Sequence, residues 1–110
     1  MVLSGSDAYV NIAGGMRLDD PAADLGIVFA LVSSFRNRPL PQDLVVFGEV
    51  GLAGEIRPVT SGQERISEAA KHGFKRAIVP FANKPKSEVE NMEVFTVKKL
   101  ADALAILDNF

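Results

Sequence analysis

The chain contains no cysteine, so no disulfide can staple it, and neither thiolate catalysis nor a thiolate zinc site is available within it. Histidine is nearly as scarce. The sole one, His72, stands beside Lys71 and Gly73 near an expected helix end, where a surface imidazole favoured by the helix dipole is the ordinary reading and a metal ligand the exceptional one. The longest mostly apolar run, Leu25 to Val32, falls far short of the roughly 20 residues that a membrane-crossing helix needs. No basic and apolar leader with a cleavage site opens the chain, and residues 1–7 read as a disordered tail or expression scar. A phosphate-cradling loop ending in Lys-Ser or Lys-Thr is missing too. Gly48, Gly51 and Gly54 are three apart, which does not fit a dinucleotide fingerprint, whose first pair is two apart.

What remains is the composition of one globular domain: 110 residues, 47% hydrophobic and 24% charged, enough to close a single core. The net charge of −2 hides an asymmetry. Residues 1–55 carry three basic and seven acidic side chains, net −4, whereas residues 56–110 carry nine and seven, net +2. Between Arg57 and Lys86 seven basic side chains face only Glu64 and Glu68, a local net of +5 that would attract a phosphate-rich partner. With a pI near 5.3 the whole chain is not that of a dedicated nucleic-acid binder, and a merely solvated surface is the competing reading.

Residues 8–18 predict a strand, with Tyr9, Val10, Ile12, Met16 and Leu18 interrupted by a Gly14-Gly15 bulge. Asp19-Asp20-Pro21 predicts a capped helix start, and the helix, running to about Phe35, has so little polar face that burial on most sides is expected. Two prolines make 36–41 a loop. A strand is expected over 44–49, then a tight hairpin whose second strand ends near Arg57. Ser61-Gly62-Gln63-Glu64 has the spacing of a capping box for a helix ending at Gly73. Strands at 76–80 and 93–96 and a last helix from about Val97 complete the pattern. Two strand-helix-strand stretches, 44–80 and 76–96, predict an α/β sandwich with a mixed sheet and about three helices.

Candidate chemistry is thin. Asp19-Asp20 and Glu49 with Glu55 are carboxylate pairs suited to acid/base work only if buried together; capping and exposed hairpin positions explain them as well. A nucleophilic serine needs a base. Ser61 reads as a cap, Ser33 and Ser34 as a helix end, Ser4 and Ser6 as tail, and every lysine lies in polar surroundings, so no working Ser–Lys pair is visible.

Three stretches in order, Asp19 to Asp24, Gly48 to Pro58 and Gly73 to Pro80, resemble the proteolytic domain of Lon proteases; the motif residues are Pro21, Gly48, Glu49, Gly51, Gly54 and Glu55. More narrowly, residues 41–57, 62–80 and Val97-Lys98-Lys99-Leu100 resemble the C-terminal Lon-like domain of the RadA, or Sms, family of bacterial DNA repair proteins. The resemblance covers about residue 8 to the C-terminus, the expected Lon-like domain. It implies that the Lon nucleophile position holds Ala22 and the general-base lysine position Gln63, so that the catalytic pair is lost and this domain is not an enzyme. Asp24 stands where the Lon motif has a small glycine, implying a polar or closed cleft.

The resemblance further implies a DNA recombination and repair protein of the bacterial cytoplasm, with a hexameric ATPase ring promoting branch migration. Its ATP, magnesium and zinc sites would lie upstream, leaving no cofactor or metal in this chain. On that reading Arg57, Arg65, Lys71, Lys75 and Arg76 are the expected contacts to single-stranded or branched DNA, without base-specific readout, since little aromatic interleaving is visible beyond Phe74. The alternative is a pure oligomerisation platform in a homo-hexamer, its acidic and basic halves meeting head to tail with no DNA contact and no membrane. Residual peptidase activity is the third and least supported reading.

Overall fold

In a computed structural model of the chain, residues 21–110 are described. The expected tail, the strand over 8–18 and the Asp19-Asp20 cap lie outside them. Pro21–Ala23 form a single 3-10 turn leading into helix α1, Asp24–Phe35. Then come β1 (Leu44–Val46), the hairpin β2 (Glu49–Val50) and β3 (Ile56–Arg57), and helix α2 (Gly62–Lys71). Strand β4 (Arg76–Pro80), a 3-10 turn Phe81–Asn83, β5 (Glu93–Val97) and α3 (Leu100–Asp108) follow. Strands β1, β4 and β5 form a parallel sheet in the order β1-β4-β5, with Val46 opposite Ile78 and Pro80 opposite Val97; β2 and β3 pair antiparallel beside it. The mixed α/β class expected from the element order is therefore found, with parallel and antiparallel pairing divided between two small sheets.

The period-2 geometry of strands explains how so short a sheet holds two cores. Val45, Phe47, Ala77 and Val79 face Ile66 and Ala69 of α2, while Leu44, Val46, Ile78 and Val97 face Leu25 and Phe29 of α1 and Ala103 and Leu107 of α3. Because both faces are covered, β4 is a continuous apolar run, with Ala77 through Pro80 all buried. Each fully buried leucine, isoleucine or phenylalanine contributes on the order of 2 kcal/mol.

Several expectations need correction. Helix α1 is not buried all round: Leu25, Gly26, Phe29 and Ala30 form its inner stripe, whereas Leu31 is exposed and Phe35 is 92% exposed. An apolar sequence records no direction, and only one stripe meets the sheet among the described residues. The strand expected over 44–49 breaks after Val46, and Gly48 separates β1 from the hairpin. Val97 closes β5 instead of opening the last helix, which begins at Leu100. Between β4 and β5 the chain returns through one 3-10 turn and a loop, with no crossover α-helix.

The capping box is also absent. Ser61 has left-handed backbone (φ 59°, ψ 37°) in place of the extended conformation usual for a serine N-cap, and makes no side-chain cap hydrogen bond to α2. Asn83 stabilises the entry to α2 instead: its Oδ1 accepts from the Val59 N–H at 2.8 Å and its Nδ2 donates to the Val59 carbonyl at 2.9 Å. Gly62 makes room for it, since a Cβ there would lie 2.9 Å from the Asn83 Cβ and 2.5 Å from its Nδ2.

Candidate functional site

The segment bearing the Lon-type motifs lies at the carboxyl ends of the strands. Ala22 is 1% exposed and shares the buried cluster of Val45, Phe47 and Ile66. Its carbonyl accepts from the Gly48 N–H at 2.9 Å, and the Leu25 N–H returns a bond to the Gly48 carbonyl at 3.0 Å, tying the start of α1 to the hairpin. One Asp24 carboxylate oxygen accepts from the Val50 N–H at 3.2 Å, so this side chain is spent on the hairpin. Gln63 lies in the first turn of α2, one turn before the buried Ile66, and is exposed. A methyl group at 22 cannot attack a carbonyl and a carboxamide at 63 cannot take up its proton. Every lysine among the described residues is exposed, so none is the desolvated amine that a Ser–Lys pair needs.

Glu55 organises the hairpin. Its Oε1 accepts from the Ala53 N–H at 3.0 Å, and its Oε2 pairs with the Arg57 guanidinium at 2.9 Å. The Arg57 hydrogen bond, helped by backbone donors, holds the Glu55 carboxyl below its ordinary value, and Glu55 in turn raises Arg57. Gly51 makes room for this carboxylate: a Cβ there would lie 2.2 Å from it and would push the Glu55 side chain aside. Glu49 and Glu55 therefore form no acid/base pair; Glu55 is a turn clamp. Leu52, at the hairpin tip, is fully exposed.

The five expected DNA contacts do not form one patch. Arg57 belongs to β3, whose Ile56 N–H bonds the Lys98 carbonyl just past β5, and Arg65 donates through Nε to the Thr60 carbonyl at 3.0 Å near the start of α2. Both lie at the carboxyl ends of the strands. Lys71, Lys75 and Arg76 lie at the opposite, amino end, about 15 Å away by the rise of α2 and of β4. Arg57 and Arg76 are engaged: Arg76 pairs with Asp43 at 2.7 Å and its guanidinium sits 4.3 Å over the Phe110 ring. That hydrogen bond holds the Asp43 carboxyl below its ordinary value. Lys71 and Lys75 are exposed and make no side-chain ion pair among the described residues. An open groove of about 1090 Å³ beside the 84–92 loop is lined by Lys75, Lys84 and Lys86 but also by Glu88, Glu90 and Glu93, which balance them. His72 caps α2 and pairs with Glu68 at 3.0 Å, and no cluster suited to a metal ion occurs among the described residues.

Phe74 is buried in the core and offers no ring to a ligand. Two aromatics are exposed among the described residues: Phe35 at the end of α1, and Phe81 in the turn just past β4, 49% exposed with the Lys98 ammonium 4.5 Å from its ring centroid. Its sequence signal is position: a ring directly after the buried run that ends at Pro80, and before a polar loop.

The fold and the hairpin motif are those of a Lon-type proteolytic domain. Residues 3–107 match the Lon protease (S16) C-terminal proteolytic domain, and the chain belongs to that family. It is similar to the DNA repair protein RadA of Haemophilus influenzae, 75% identical over 97% of this chain and 23% of the relative. The RadA proteins of Escherichia coli and Bacillus subtilis are 64% and 48% identical over 97% and 94% of this chain, again 23% of each relative. The chain thus spans about a quarter of the length of these relatives. No helix of the described residues is long and apolar enough to cross a membrane.

Proposed function

We propose that this chain is the non-catalytic scaffold and DNA-binding module of a RadA-type repair protein. The observation that carries the reading is the 75% identity to a DNA repair protein RadA across nearly the whole chain. The structure supports the non-catalytic part, because position 22 carries a buried methyl group and position 63 an exposed amide. In the full-length protein, ATP hydrolysis and its magnesium, and a zinc motif, belong to upstream domains. Exposed Lys71 and Lys75, with Lys98 and Lys99 at the other end, supply phosphate contacts without base readout. The test is a salt titration of DNA affinity with the full chain: each phosphate contact removed, as in Lys71→Gln with Lys75→Gln, lowers the slope of log K against log salt by about 0.9 on duplex. Salt-independent affinity, or none, defeats the reading.

An oligomerisation platform is the second reading, favoured by the exposed Leu31 and Phe35 on α1 and by Leu52 on the hairpin. These apolar groups lie at opposite ends of the strands, which suits a head-to-tail contact that closes into a ring such as a hexamer. Sedimentation of Phe35→Ser and Leu52→Ser variants against the parent chain separates the two readings.

A further inference from the structure

We infer that Phe81 is a stacking platform for an unpaired base of a single DNA strand, with Lys98 and Lys84 meeting the flanking phosphates; this rests on the DNA-binding reading and gives it a site. Phe81 is about half exposed, although a phenyl group gains by leaving water. The backbone that carries the ring is anchored on both sides. Phe81 follows Pro80, which pairs with Val97 in the sheet, and its carbonyl accepts from the Lys84 N–H at 3.1 Å. Asn83, two residues on, is fixed to Val59 by two hydrogen bonds. An aromatic surface prearranged in this way loses little freedom on binding.

The charges around it fit a nucleic-acid strand. The Lys98 ammonium lies over the ring, 4.5 Å from its centroid, so this exposed side chain moves off the face to a flanking phosphate when a base stacks there, and Lys84 closes the same turn. Both lysines are exposed and neither makes an ion pair among the described residues. An aromatic face with adjacent cations is the recurring arrangement for single-strand binding, because every base has a π-face and every linkage a phosphate. A duplex keeps its bases stacked on one another and gains nothing from the ring.

The test uses the full chain with an oligothymidylate and a duplex of equal length. Phe81→Ala weakens single-strand binding roughly five- to a hundredfold, the range of one stacked base, and leaves duplex affinity within about twofold. Phe81→Trp keeps the π-face and the affinity, and its indole emission is quenched by the single strand but not by the duplex. Lys98→Gln lowers the single-strand salt slope by about 0.7. Equal losses on both DNAs, or a tryptophan that reports no quenching while the strand is bound, overturn the stacking site and leave the wider DNA reading intact. A parent chain that binds neither DNA overturns both.

Discussion

Asn83 pairs with Val59 as a strand neighbour would, accepting from its N–H at 2.8 Å and donating to its carbonyl at 2.9 Å, although neither residue belongs to a strand. The pair joins the turn after β4 to the segment entering α2, and so places Gln63 and Phe81 on a common support. Both bonds are partly buried, and each contributes about 1 kcal/mol net. Asn83→Ala therefore lowers unfolding free energy by about 1–3 kcal/mol in urea titrations. Asn83→Asp loses stability too, since a carboxylate cannot donate to the Val59 carbonyl. Gly62→Ala displaces the Asn83 side chain, so its cost and that of Asn83→Ala add to less than their sum in a double-mutant cycle. Full additivity contradicts the clamp.

Arg76 and Lys75 are neighbours in sequence with different duties. Arg76 ties β4 to Asp43 and to the Phe110 ring, which also lies 5.4 Å from Phe95. Arg76→Gln is expected to cost about 1 kcal/mol of stability, whereas Lys75→Gln leaves thermal unfolding unchanged and acts only on DNA affinity. The reverse pattern would return Arg76 to the binding surface.

Acid weakens the fold through two carboxylates. Both Asp43 and Glu55 have folded-state pKa values below their ordinary ones, first because an arginine hydrogen-bonds each carboxylate. Protonation is thus harder in the folded than in the unfolded chain. Their contribution is complete above the ordinary carboxylate values of about 4 and is lost as pH falls through the lower folded ones. Denaturation midpoints followed between pH 6 and about 2.5 should drop on the acid side, and Asp43→Asn should flatten that drop. An unchanged acid limb in Asp43→Asn removes Asp43 from the account.

Placing a serine at 22 and a lysine at 63 should not confer hydrolysis. A hydroxyl introduced by Ala22→Ser enters a site 1% exposed, where an unsatisfied buried polar group costs about 1–3 kcal/mol, and an amine introduced by Gln63→Lys stands in solvent. The double variant is expected to be less stable than the parent and as inert toward casein. Turnover by that variant would show that the scaffold still opens.

The sequence carried the helices and the apolar strands because periodicity and burial act through residue type. The run at 76–80, the Gly48–Arg57 hairpin and the helical spacing of Leu100, Leu104 and Leu107 are legible for that reason, whereas Ala101, expected on the same face, is exposed and Ala103 is the buried alanine of the helix. Burial direction was less so. Phe35 and Phe29 are the same side chain on one helix, yet one is exposed and the other buried, and only the neighbouring sheet decides. The Ser61 box failed because its residue spacing is right while its backbone is left-handed. The basic side chains were counted along the chain, and no linear count contains the turn of direction that carries α2 back along the sheet. Asn83 and Phe81 escaped notice because a single asparagine or phenylalanine has no period.

The separation of the basic groups across the length of α2 makes the proposed interface a two-point grip. A gap of about 15 Å matches four to five base-pair steps along a duplex. A fragment too short to bridge it engages one end alone, and a longer one gains the second contact at high effective concentration. Affinity should then climb in a step with oligonucleotide length, so that the domain acts as a ruler for its ligand without reading any of its letters.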